Sequence, residues 1–176
     1  MISVEQVKNS FHFLHESMRQ KEFSKAMYFN WWCEKDLLPS IRFYLLGYFG
    51  AIDPEVKTEL ASSNSGEGYI DFAIENIAIE FAVRKPDEYK SKLTAYTNRD
   101  ERKKLIRRKM YNDHLNYGTL VLFDFTKDPL LDEQLEEYRD IPSLGKGNFN
   151  KDGFVLLYFY IGKNSETLCI KKQIKV

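Results

Sequence analysis

Asp71 and Glu80 are the residues in this chain whose type and spacing most clearly point to chemistry. They lie in Tyr69-Ile70-Asp71-Phe72-Ala73-Ile74, then Glu75-Asn76, then Ile77-Ala78-Ile79-Glu80-Phe81-Ala82-Val83-Arg84. Two alternating runs separated by two residues predict a β-hairpin. With Glu75 and Asn76 as the loop, Ile74 faces Ile77, Phe72 faces Ile79, and Asp71 lies opposite Glu80. Directly opposed residues on paired strands have Cβ atoms about 4.5 to 5.5 Å apart, and like charges so placed destabilise a sheet. A divalent cation held between the two carboxylates would offset that cost. Carboxylate oxygens are the ligands that hard ions such as Mg2+ or Mn2+ prefer.

Side chains alternate across a strand, so the hairpin has two distinct faces. Ile70, Phe72, Ile74, Ile77, Ile79, Phe81 and Val83 form an apolar face that must be core. The acids share the other face with Ala73, Ala78 and Ala82. A merely solvated face would interleave Lys, Thr and Ser with its acids. Alanine padding is expected to leave room above the pair for a ligand or a phosphate backbone.

The remaining elements follow from periodicity and punctuation. Val4, Val7, Phe11, Leu14 and Met18 recur at helical spacing over residues 4 to about 20. The pattern from Glu34 to Phe49 is again helical, with Gly50 as a stop; Pro39 suits only a first turn, which places the start near Leu38. Strands are expected at 56–61, in the hairpin at 69–84, at 119–125, at 154–161 and at 168–176. Helices are expected after Pro86, over about 99–112, and over 130–138. The continuous apolar run from Thr119 to Phe125 suits a strand buried on both faces. The result is an α/β domain with a mixed central sheet flanked by helices.

At 176 residues, with 43% hydrophobic and 15% aromatic content, the chain fits one globular domain. Residues 1–32 are read as a helical N-terminal extension and 33–176 as the core. The longest apolar run, Phe154 to Ile161, is too short to span a bilayer, and the amino terminus lacks signal-peptide features. A cytoplasmic protein is therefore expected. Cys33 and Cys169 show no pairing or zinc spacing. His12 and His15, flanking the stripe of Phe11, Leu14 and Met18, are better read as helix residues than as metal ligands.

Net charge is zero, yet its distribution is uneven. From Arg84 to Lys109 there are eleven Lys and Arg against four acids, a local excess of seven. Such a stretch attracts nucleic acid through counterion release. Arg99, Arg102, Lys103, Arg107, Arg108 and Lys109 are its candidate contacts. Opposite charges at helical spacing around Asp100 and Glu101 would also suit a solvated helix face.

With the elements in this order, the chain resembles the PD-(D/E)xK, or restriction-endonuclease-like, nuclease superfamily. Its members share a helix bearing an acid, a strand, a hairpin with Asp on its first strand and Glu-x-Lys on its second, then a helix and a further strand. The stretch Glu34 to Phe125 follows that order, about half the chain. The resemblance implies a restriction-endonuclease-like core and hydrolysis of phosphodiester bonds, with DNA as the expected substrate. It also implies Mg2+ or Mn2+ held by Asp71 and Glu80, with Glu34 and the Phe81 carbonyl as further ligands. A homodimer or a partner subunit, in a defence or mobile-element setting, fits a short domain with no evident specificity module.

The family lysine is replaced by Ala82. Three explanations stand side by side. In the first, another cation serves, either Arg84, one side-chain period beyond Ala82 at about 6 to 7 Å by strand rise, or Lys90 or Lys92 reaching back. Alternatively the chain is a silent nucleic-acid-binding or protein-interaction subunit. In the third, a lysine was deliberately exchanged for alanine.

Overall fold

The computed structural model describes residues 1–26, 34–59, 67–84, 117–136 and 154–174. Within them lie helices α1 (Val4–Met18), α2 (Lys21–Ala26), α3 (Glu34–Phe49) and α4 (Asp132–Glu136). The strands are β1 (Asp53–Glu59), β2 (Glu67–Ile74), β3 (Ile77–Arg84), β4 (Tyr117–Asp124), β5 (Phe154–Ile161) and β6 (Thr167–Ile174). They form one six-stranded sheet in the order β1-β2-β3-β4-β5-β6. The β1–β2, β2–β3 and β5–β6 pairs are antiparallel, while β3–β4 and β4–β5 are parallel. The chain is thus an α/β protein with a mixed sheet and an N-terminal helix. Among the described residues no helix is long and apolar enough to cross a membrane.

The hairpin has the register that its alternation predicts. Phe72 pairs with Ile79, Ala73 with Ala78 and Ile74 with Ile77, and Glu75 takes the left-handed φ of 50° that closes so tight a turn. Phe72, Ile74, Ile77, Ile79 and Phe81 join Val121, Phe123, Leu157 and Phe159 in a core beneath α1 and α3. From α1 that core receives Val7, Phe11, Leu14 and Met18, the stripe seen in the sequence. The helix begins in a capping box, with Gln6 N–H donating to Ser3 Oγ and Ser3 N–H to Gln6 Oε1.

Several boundaries differ from expectation. The third helix begins at Glu34 and carries Pro39 inside it. Proline there forgoes a bond to the carbonyl four residues back, at a cost of about 3 kcal/mol. Burial of Leu37 ahead of it, in line with Ile41 and Leu45, rewards the upstream turns. The first strand starts at Asp53, three residues early, because its pairing with Ala73 and Phe72 extends it through Pro54. Pro54 is tolerated there because β1 is an edge strand. The fourth helix starts at Asp132, two residues late, and the last strand at Thr167, one early; residues 137–138 and 175–176, to which they were expected to run, lie outside the described residues. The helices expected after Pro86 and over 99–112 lie outside the described residues.

The alanine-bearing face is covered. Ala73, Ala78 and Ala82 are buried in a second core with Leu120, Leu122, Leu156, Tyr158 and Leu135 of α4. The room expected above the acids is therefore filled over Glu80, while Asp71 stays half-buried, because short side chains let the overlying layer approach the sheet closely.

Candidate metal centre

Continued by one pair, the β2–β3 register that joins Phe72 to Ile79 would set Asp71 opposite Glu80. Asp71 is half-buried, and Glu80 beside it is 0% exposed. Phe81 N–H donates to Asp71 Oδ2 at 2.8 Å. A continued antiparallel ladder would direct that N–H to the Ile70 carbonyl; the Asp71 carboxylate takes its place. The backbone donor also compensates part of the Asp71 charge, which eases the apposition with Glu80. The N–H and C=O of one strand residue point to the same neighbouring strand. The Phe81 carbonyl is therefore directed to the β2 side, where Asp71 lies. Two carboxylates and one carbonyl are a donor set of the kind Mg2+ or Mn2+ takes.

Glu80 makes this an unusual surface for a sheet. Its neighbours along the strand on the same face are Ala78 and Ala82, and Leu120 is its register partner in β4. An ionised carboxylate withdrawn from water is costly unless a counter-charge or hydrogen bonds compensate it. Among the described residues no group of three or more His, Cys, Asp or Glu is arranged to hold a metal. Further ligands for a cation at Asp71 and Glu80 would be water, the Phe81 carbonyl or residues outside that set. Glu34 is the first residue of α3, and its side chain is outside the described part. Lys90 and Lys92 lie outside it too, as do Arg99, Arg102, Lys103, Arg107, Arg108 and Lys109.

Arg84 is described, and its guanidinium is engaged elsewhere. Nη1 lies 2.9 Å from Asp124 Oδ2 and donates to the Asp128 carbonyl at 2.6 Å. Asp124, at the end of β4, is fully buried and also accepts from Tyr158 Oη at 2.5 Å and from Thr126 N–H at 2.9 Å. Tyr158 Oη in turn accepts from Leu130 N–H at 2.7 Å. Burial, and then the Asp124 carboxylate, push the Tyr158 phenol far above its ordinary range. This network wires residues 126–130 over the carboxyl ends of β3, β4 and β5. A lone acid ending the apolar run Leu120-Val121-Leu122-Phe123 was its only sequence signal.

Ala82 is 1% exposed, beside Leu122 in the register. The position at which the resemblance calls for a lysine is thus inside the second core. Comparison with family models, curated proteins and solved structures finds no match to this chain.

Proposed function

We propose that Asp71 and Glu80 bind a divalent cation, Mg2+ or Mn2+, and that the chain is a metal-dependent nuclease on a restriction-endonuclease-like core. The observation that carries this reading is the bond from Phe81 N–H to Asp71 Oδ2, made just beyond a β2–β3 register whose continuation by one pair would oppose Asp71 and Glu80. The order α3, β1, β2, β3, β4, with β4 parallel to β3, supports the same core. When bound, the ion supplies Lewis-acid charge to a phosphoryl oxygen and lowers the pKa of its water. Asp71 and Glu80 hold it, and the buried surroundings of Glu80 strengthen every charge interaction there.

A second reading has its own support. Ala82 is enclosed and Arg84 is paired with Asp124, so neither stands in for the lysine. A nucleic-acid-binding subunit that holds metal without cutting fits those two facts.

Thermal denaturation across a Mg2+ or Mn2+ titration tests the site. Binding at a hundred times Kd stabilises by about 2.7 kcal/mol, or roughly 5 to 10 °C in a chain of this size. Asp71→Asn keeps an oxygen for Phe81 N–H and is expected to abolish the rise without lowering metal-free stability. Absence of any rise in the natural chain would sink the assignment.

Cleavage assays on plasmid and single-stranded DNA separate the two readings. Ala82→Lys must fit four methylenes and an ammonium into a filled core, at a stability cost of about 1 to 3 kcal/mol or more. Cleavage that appears only in Ala82→Lys marks the chain as silent, or as one disabled by exchange of its lysine. Cleavage by the natural chain that is lost in Lys90→Ala or Lys92→Ala marks a migrated lysine.

A further inference from the structure

On the opposite face from Ala82, one histidine fastens α1 to the sheet. His15 is fully buried; its ring stacks on Phe125 at 4.6 Å and meets Phe123 edge-on at 4.9 Å. Nε2 lies 3.3 Å from the Asp124 carbonyl and Nδ1 lies 3.0 Å from Thr167 Oγ1. A carbonyl only accepts, so the hydrogen of the neutral ring belongs on Nε2. Nδ1 is then an acceptor for the Thr167 hydroxyl. Thr167 Oγ1 in turn accepts from Arg19 Nη1 at 2.8 Å, and Arg19 also donates to the Ser165 carbonyl. The chain from Asp124 through His15 and Thr167 to Arg19 thus ties the last turn of α1 to β4 and to the β5–β6 hairpin.

We infer that this buried imidazole is an acid-released clasp: a proton on Nδ1 replaces an acceptor with a donor aimed at the Thr167 hydroxyl, and the end of α1 lets go. The charged groups around the ring are Arg19 and His12 from α1 and Asp124 from β4; β5 and β6 present Phe159 and Thr167. Arg19 and His12 oppose a further positive charge, while Asp124 favours it only in part. Burial, the largest influence, lowers the His15 pKa to about 4. A released ring has the ordinary value near 6.5. The clasp is therefore intact above pH 6.5 and is lost progressively as pH falls toward 4. Its release uncovers Phe123, Phe125 and Phe159 beneath the helix.

Two measurements on the full chain test this. In ¹⁵N NMR of the imidazoles, His15 is expected as the Nε2–H tautomer at pH 7, with no titration near 6.5. In hydrogen exchange corrected for intrinsic rates, amides of residues 15–20 and 162–167 should open roughly twentyfold more at pH 5 than at pH 7, beyond any change in β3 and β4. His15→Gln, which offers a neutral donor and acceptor, should flatten that dependence. An Nδ1–H tautomer, an ordinary titration, an equal rise throughout the sheet, or a rise that persists in His15→Gln would each overturn the clasp. If His15→Gln fails to fold, the natural chain's NMR and exchange data decide alone.

Discussion

Phe123→Ala is expected to cost about 3 to 5 kcal/mol of stability and to lower Tm by about 10 °C or more. The ring is the meeting point of the main core. It lies 5.9 Å from Phe11 of α1, 5.1 Å from Phe81 of β3, 5.4 Å from Phe159 of β5 and 4.9 Å from His15. The contacts with Phe11, Phe81 and Phe159 are all edge-to-face, an arrangement worth more than its area alone. Collapse into the cavity is hindered because β4 is held on both sides, with Val83 and Phe159 as register partners of Phe123. Phe123→Leu retains most of the volume and should cost under about 1.5 kcal/mol. Urea denaturation measures both, and a loss below about 1 kcal/mol in Phe123→Ala would contradict the packing described. The change also bears on the candidate site. Phe81 packs on Phe123 and its N–H holds Asp71, so metal-induced stabilisation should weaken along with the core.

The parts of the fold that were legible are those that neighbouring residues specify. Alternation from Tyr69 to Arg84 with two residues between the runs is enough to set the register of Phe72 against Ile79, Ala73 against Ala78 and Ile74 against Ile77. The stripe of Val7, Phe11, Leu14 and Met18 likewise announces both a helix and its buried side. Pro39 misled because local propensity argues for a helix start, whereas the burial of Leu37 is a tertiary gain that no local rule contains. The alanines around Glu80 misled in another way. Small side chains are equally compatible with open space and with a close second layer, and only the residues packed over them decide. Arg84, Asp124 and Tyr158 come from three strands, and His15 and Thr167 from opposite ends of the chain. Their association depends on strand order, which the spacing of residues within one segment does not encode.

Asp124→Ala is the other substitution with a large expected effect, about 3 to 5 kcal/mol, since breaking a buried ion pair leaves its partners uncompensated. Tyr158 Oη would lose its acceptor inside the second core, Thr126 N–H would lose the bond that starts the following loop, and Arg84 would keep only the Asp128 carbonyl. Arg84 is partly exposed and can turn to water, which places the cost toward the lower end. Tyr158→Phe removes two hydrogen bonds, the one to Asp124 and the one from Leu130 N–H, and should cost about 1 to 3 kcal/mol. Much of that is exerted through Asp124, so the double variant should be more stable than the sum of the two single losses predicts, by about 1 kcal/mol. Additive losses would mean that the phenol and the carboxylate act separately.

The same network separates structural support from the proposed cation site. Arg84→Met keeps the aliphatic stem and removes the charge, leaving Asp124 with the Tyr158 and Thr126 donors. It should lower stability while leaving the metal-induced rise in Tm unchanged, because Arg84 stands two strand periods from Glu80 and its charge is directed to Asp124. A metal response lost in Arg84→Met but kept in Tyr158→Phe would instead place the guanidinium at the cation site, and would restore it as the substitute for the missing lysine.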